Sequence, residues 1–563
     1  MLQTIPLRQK ILVMIAVMSG LLMAALDQTI IATALGRIIE DFNAFNQLSW
    51  VVTAYLLTTT ITVPISGKLS DQFGRRNLLL IGVSLFALTS LLSGVSQNIE
   101  QLIFFRALQG IGGGILTSSA FTIIGDLFSP RERGRWQGMI GGVFGLSSII
   151  GPLLGGYLTD PHNVFGLTTN WRWTFFINVP VGIAALYMIA RYAPNFKHEV
   201  RHRIDYPGAV TLAIALSSII LACENIHQLA QSLSPAWNIE EWVGKTVLLS
   251  IGAVFTGLFV WIERRATSPI VPLHLFKSDI FRIVMTATFL NGIAFLGAIL
   301  YLTQFMQQVY GTNATLTGLS LLPMIIGLIA TSATAGQIVT KTGKYKLLLL
   351  TGVVVATVSL LLLSTLTVNT PYVAIAAIMV LNGAGLGVAL PIFNVAVQND
   401  FDQKELGVVT SSVQLFRGLG STIGTALLGG LLTAGVASSL GDLNKDPFIQ
   451  TLQKQPTATQ FIGNADANTA LNLNSYDTKK KITDGIIEGA NKIAAPTIVK
   501  DKIKDSMLKA QDDFSTKTKT AFSDSLQVVF RVAAATMGMA FIVTLFLREV
   551  PLSHDERVTP VET

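Results

Sequence analysis

The segment Gly67-Lys-Leu-Ser-Asp71-Gln-Phe-Gly74-Arg75-Arg76 is echoed 269 residues further on by Gly336-Gln-Ile-Val-Thr340-Lys-Thr-Gly343-Lys344-Tyr-Lys346. The same offset carries Gly151-Pro-Leu-Leu-Gly155 onto Gly420-Ser-Thr-Ile-Gly424. Four glycines therefore repeat in register. In a chain that is 50% apolar, a long-range repeat that keeps basic turns and glycine spacings implies two similar helical halves facing each other in a membrane.

The composition agrees. Charged residues make up 13% of the chain, against about 25% in soluble proteins, and mean hydropathy is +0.55. Apolar runs of roughly 20 residues, enough to cross about 30 Å of hydrocarbon as a helix, recur about fourteen times, the first centred near residue 21 and the last near residue 537. They alternate too weakly for membrane strands. The first run follows Arg8 and Lys10 but contains Asp27, lacks a small-residue cleavage site and leads straight into further spans, so it reads as a retained helix. With both termini cytoplasmic, the short outside loops hold only Arg37, Arg172 and Lys245, as the positive-inside rule demands. Basic loops against anionic lipid heads also explain the net charge of +7 without any nucleic-acid partner. The single cysteine, Cys223, excludes an intramolecular disulfide, and six histidines without metal-ligand spacing give no reason to expect a metal or cofactor.

The spans divide as six, two and six: a first bundle over residues 1–195, a linker over 196–278 with two additional spans, and a second bundle over 279–563. An even number of inserted spans keeps both bundles in one orientation, the parallel repeat about the membrane normal. Residues 434–524 read as a long outside loop with 12 Lys against 11 Asp plus Glu. Ile482, Ile486, Ile487 and Ala490, then Val499, Ile503, Met507 and Leu508, fall at helical spacing and predict two short amphipathic helices forming a hairpin. Such a hairpin is either a solvated insertion or a gate or docking element.

Five stretches carry a resemblance. Gly67-x-Leu69-x-Asp71-x-x-Gly74-Arg75-Arg76 resembles the loop motif of the major facilitator superfamily, and Arg106-Ala-Leu-Gln109-Gly110-Ile-Gly112-Gly113-Gly114 is similar to its fourth-helix motif. Gly145-x5-Gly151-Pro152-x-x-Gly155-Gly156 resembles the fifth-helix motif associated with antiporters. Leu26-Asp27-Gln28-Thr29-Ile30-Ile31 and Trp171-Arg172-Trp173-x-Phe175-Phe176-Ile177-Asn178-Val179-Pro180 are similar to patterns of the fourteen-spanner drug/proton antiporter branch. The resemblance implies an all-α membrane protein of the major facilitator fold, two six-helix bundles plus two inserted helices, 14 transmembrane helices in all. It further implies that Gly67, Asp71, Gly74, Arg75 and Arg76 latch the halves together on the cytoplasmic side. In the second copy the aspartate position is Thr340, so that copy lacks its anion. Gly151, Gly155 and Gly156 let helices approach closely, and Pro152 removes a backbone donor; generic packing explains the glycines equally well but not the proline.

Ionisable groups in hydrocarbon cost several kcal/mol unless paired or hydrated. Only Asp27, Arg106, Arg417 and Arg531 lie clearly within spans, with Asp126 and Glu224 near boundaries. At 1.5 Å per residue, Asp27 and Arg106 come out at similar depth in the outer third of the membrane. Asp27 is therefore read as the proton-exchanging carboxylate and Arg106 as the cation that pairs with it when close and releases it when apart, a static structural pair being the alternative. Arg417 lies near mid-membrane in a half whose spans carry no acid. Its expected partners are backbone carbonyls, Gln414 or Asn394, a carboxylate of the other half, or the cargo. Gln28, Trp50, Tyr55, Asn291, Gln304, Gln307 and Asn382 are candidates for the cavity wall.

These observations predict a monomeric proton-coupled antiporter of the cytoplasmic membrane, exporting drugs or other amphiphilic small molecules on the energy of the proton gradient. An endogenous lipid, fatty acid or siderophore is the alternative cargo, and a proton-independent facilitator the alternative mechanism. A channel or membrane enzyme is disfavoured, since the chain lacks a filter-like loop, a Walker motif and a nucleophile–base constellation.

Overall fold

The computed structural model describes residues 6–42, 48–159, 163–164, 166–194, 205–223, 240–402, 405–453, 467–492 and 496–552. Apolar sequence that must satisfy its own backbone polar groups becomes helix, and among the described residues the regular structure is helical apart from one two-residue hairpin pairing, Asn163–Val164 with Leu167–Thr168. The first six membrane helices are α1 (Leu7–Phe42), α2 (Leu48–Phe73), α3 (Arg75–Gly94), α4 (Ile99–Leu127), α5 (Pro130–Thr159) and α6 (Asn178–Tyr192). Two follow in the linker, α7 (Tyr206–Ala222) and α8 (Glu241–Glu263). The second half comprises α9 (Asp279–Gln308), α10 (Leu322–Thr342), α11 (Lys346–Leu363), α12 (Tyr372–Gln398), α13 (Leu406–Leu440), α14 (Tyr476–Lys492) and α15 (Thr497–Leu545).

Among the described residues, thirteen helices are long and apolar enough to cross a membrane, and α7 is a shorter apolar one. Fourteen apolar helices thus stand where fourteen were expected. Glu224 falls outside the described residues.

The repeat seen in sequence is also a repeat of packing. On α5 the position of Gly151 faces Thr29 of α1, whose hydroxyl donates to Ser147 O at 3.0 Å. On α13, Gly420 and Gly424 lie against Phe289 O and Ile293 Cα of α9. Each half therefore presses its fifth helix onto its first through a glycine. Between halves the pairing is reciprocal: α2 meets α13 where Gly67 faces Ser411, and α5 meets α10 where Gly134 and Gly138 face Gly336 and Ser332. The inserted pair packs beside the first of these seams, Leu212, Leu216 and Phe259 clustering with Leu415 of α13 and with Ile61 and Ile65 of α2.

Within the second half, α10 and α12 touch backbone to backbone. A Cβ at Gly383 would collide with the carbonyl oxygen of Met324, and one at Gly327 with that of Val380. Gly383→Val is expected to destabilise the protein by about 1–3 kcal/mol, the usual cost of overpacking. Gly257→Val, at a position with open space around it, should be neutral. Thermal unfolding of the detergent-solubilised proteins checks both.

The outer segment departs from expectation at its edges. The second arm of the expected hairpin is not a separate short helix: α15 runs unbroken for 49 residues, about 74 Å at 1.5 Å per residue, so the hairpin arm and the last span are one rod. Likewise α13 continues to Leu440, past the expected start of the loop. The two arms touch: Thr483 of α14 bonds Gln511 of α15 at 3.0 Å, and Ile486 and Ala490 of α14 are buried.

Candidate functional site

The first bundle holds a buried ionic cluster. Asp27 on α1 is 2% exposed and Arg106 on α4 is 1% exposed, and the Arg106 Nη1 is paired with the Asp27 Oδ2. Gln109 donates from Nε2 to Asp27 Oδ1 at 3.0 Å, Asn178 donates to the same oxygen at 3.2 Å, and Arg106 Nη1 also donates to Gln109 Oε1 at 2.9 Å. Arg106 Nε donates to Val51 O at 3.3 Å. The ring of Tyr55 lies 4.3 Å from the guanidinium carbon, a cation–π contact. Both Asp27 oxygens are thus engaged, and the charge pair is desolvated.

The fourth-helix motif explains how the cluster is built. Gln109 sits one helical turn from Arg106 and so shares its face. Gly110, Gly113 and Gly114 present bare backbone to Tyr55 and Thr59 of α2, while Gly112 does the same towards Phe86 of α3. Side chains there would push α2 away from Arg106. Asn178, held by Ser90 Oγ at 3.0 Å, brings α6 in to close the cluster.

The second constellation lies at the end of the molecule carrying loop 67–76. Gly74 adopts φ 90°, a conformation glycine takes at little cost, as N-cap of α3. Arg75, 2% exposed, joins Asp71 at 2.6 Å and Asp126 of α4 at 2.5 Å. The Asp71 carboxylate faces Gly407 in the first turn of α13, where a helix N-terminus favours negative charge. Arg76 donates instead to Ala190 O of α6. Further bonds tie the halves here. Arg133 donates to Gln398 O at 3.2 Å, Gln137 to Gln398 Oε1 at 2.8 Å, and Thr340 to Arg131 O at 2.8 Å. In the second copy, Gly343 caps α10 at φ 69°. An acid from far along the chain caps the next helix there: Glu549 accepts from the N–H groups of Tyr345 and Lys346 at 2.9 and 3.2 Å.

Other candidates scatter. Gln28 is exposed, and Trp50, Gln304 and Gln307 are half-buried. Tyr55 is buried against Arg106 and belongs to the ionic cluster. Asn382, 0% exposed, donates to Ser359 of α11 at 2.9 Å, and Asn291 is buried against Met537. These two asparagines join helices of the second half, as a buried amide must spend its donors on neighbours. Pro152 lies beside Gly318 of the second half. Gly155 is buried and Gly156 half-buried.

Arg417 takes none of the protein partners expected for it. Gln414 and Asn394 bond each other at 3.2 Å, and among the described residues the guanidinium takes neither carbonyl, amide nor carboxylate. It lies instead 5.5 Å from the ring centre of Phe121 and 5.8 Å from that of Phe144. Arg531 is exposed and donates to Gln527 at 3.3 Å.

The sequence gives no role to Gln109, Asn178, Arg133, Gln398 or Glu549, and marks Asp126 only as an ionisable residue near a span boundary. For Gln109 the three-residue spacing from Arg106 was a usable signal. For the others the partner lies on a different helix, and nothing local in the sequence marks it.

Two helical halves packed by the same glycine contacts, with a desolvated ion pair inside the first, define a duplicated multi-pass membrane protein of the transporter class. The chain belongs to the Major Facilitator Superfamily, whose family profile matches residues 17–425. It is 35% identical over 542 residues to the multidrug transporter protein MdtP of Bacillus subtilis, covering 95% of this chain and 93% of that one. It is 37% identical over 430 residues to multidrug resistance protein 3 of the same organism, covering 76% and 81%. Among solved structures it superposes on the proton:xylose symporter XylE with a TM-score of 0.55 at 14% identity, covering 76% of this chain and 90% of that chain. The human organic anion transporter MFSD10 gives 0.53 at 16%, covering 75% and 93%. These two likenesses speak to the fold.

Proposed function

We propose that the protein is a proton-coupled antiporter that exports amphiphilic small molecules across the cytoplasmic membrane, working as a monomer with both termini in the cytoplasm. The observation that carries this reading is the Asp27–Arg106 pair, a carboxylate on one helix and its counter-ion on another, buried with Gln109 and Asn178 as the other ligands of the carboxylate. A proton and Arg106 compete for one anion. When Asp27 is ionised the pair holds α1 to α4, and when Asp27 is protonated the attraction is lost and the bundle is free to repack.

Loop 67–76 is then the cytoplasmic latch, and the inter-half bonds gathered there belong to the state closed towards the cytoplasm. Residues 1–195 and 279–563 rock against each other, with the linker pair 196–278 riding beside the α2–α13 seam. Relatives named as multidrug transporters support an amphiphilic cargo. The test is accumulation of a fluorescent amphiphile in inverted vesicles under an imposed pH gradient. Accumulation should collapse when an ionophore that exchanges protons for potassium dissipates that gradient. Undiminished accumulation after dissipation rejects proton coupling.

A further inference from the structure

Among the described residues, two intramembrane cations carry charge that the proposed machinery does not use: Arg531, which is exposed and donates to Gln527, and Arg417. Asp27 is committed to Arg106, and Asp71 and Asp126 are committed to Arg75. The second half has no Asp or Glu in the interiors of α9 to α13. Asp279, at the start of α9, pairs with Arg282. Of the nearby amides, Gln414 donates to Asn394 Oδ1 at 3.2 Å and Asn394 donates to Leu390 O at 3.1 Å, and neither bonds the guanidinium. What remains around the guanidinium is aromatic: Phe121 of α4 and Phe144 of α5, both from the first half.

Ring faces attract the cation but accept none of its five edge N–H donors as an oxygen would. Arg417 is half-buried, and among the described residues no oxygen takes up those donors, which leaves them for a ligand. It sits six residues along α13 from Ser411 at the seam, about 9 Å. The constellation is built from both halves and comes apart if they rock.

We propose that Arg417, Phe121 and Phe144 form an anion-recognition site for cargo, and that the compounds this transporter takes include amphiphilic organic anions, carboxylates above all. The guanidinium fork binds the anionic head bidentately, and the two rings take the adjoining apolar body. A cationic head would meet an unneutralised like charge there. This inference deepens the export reading by naming a cargo class, and it rests on that reading only for the direction of transport.

The experiment is a fluorescence titration of the purified full-length protein in detergent with three matched probes: dansyl-undecanoate, its primary amide and dansyl-undecylamine. The carboxylate is expected to bind at least about tenfold more tightly than the amide or amine, the value of one charge-assisted contact. Arg417→Gln should erase that preference, and Arg417→Lys should retain part of it. Equal binding of carboxylate and amide by the unaltered protein overturns the proposal, as does a preference that survives in Arg417→Gln. Should Arg417→Gln fail to fold, Phe121→Leu and Phe144→Leu are read instead, each expected to weaken the carboxylate at least threefold while leaving the amine unchanged; no change for the carboxylate rejects the site. Binding needs no gradient. Loss of head-group preference with intact gradient-driven transport therefore removes this site alone, and the reverse result removes proton coupling alone.

Discussion

Asp27→Asn is expected to abolish accumulation of cargo against its gradient while leaving movement down a gradient in place. One proton falling through one pH unit supplies about 1.4 kcal/mol, enough to sustain about a tenfold concentration ratio for each proton exchanged. Asparagine preserves the shape and can still hydrogen-bond to Gln109 and Asn178, but it neither takes up a proton nor neutralises Arg106. The ratio should fall to one. In inverted vesicles the substitution should thus remove all pH-driven accumulation, and counterflow of preloaded cargo should continue. Accumulation that persists in Asp27→Asn places the coupling elsewhere. Counterflow lost as well would mean that Arg106, left buried without its anion at a cost of about 3–5 kcal/mol, has disrupted the bundle, which thermal unfolding would register.

Gly67→Val acts at the opposite end of the cycle. A Cβ at Gly67 would overlap the side chain of Ser411 and approach Gly407 O at 2.8 Å, so a branched side chain cannot fit while α2 and α13 are closed. The seam must part, taking Asp71 away from the N-terminus of α13. The expected result is a protein that folds, because the contact lies between halves rather than within one, yet transports at least about tenfold more slowly; that factor corresponds to shifting a two-state equilibrium by about 1.4 kcal/mol. Cys223 is the only native cysteine, so with it replaced, Ser411→Cys can report directly. Its labelling by a thiol reagent should be slow in the Gly67 background and rapid with Gly67→Val. Equal labelling in the two backgrounds would show that the seam does not close on Gly67.

The repeated glycines at 67 and 336, and at 151 and 420, were legible because each marks a close approach that only the smallest residue permits, and such constraints leave a residue at a fixed place. Asp27 and Arg106 were legible for the opposite reason: charge in hydrocarbon is so costly that its presence alone signals use. Asn382 was legible only as a polar residue at mid-span, which does not say that its amide bonds Ser359 on the next helix. For Arg417 the sequence left several partners open, since an arginine does not declare what lies across the interface from it.

By itself the sequence determined that the chain is a duplicated bundle of membrane helices, roughly where those helices lie, and that Asp27 and Arg106 are charges carried into them, because helix length, hydropathy and the penalty on charge in hydrocarbon are properties of single segments. Only the tertiary structure decided that Gln109 and Asn178 complete the shell of Asp27, that Glu549 caps the start of α11, and that Arg417 meets two phenyl rings of the other half. Those are contacts between helices far apart in the chain. Their geometry depends on how rigid rods pack, which no single segment encodes.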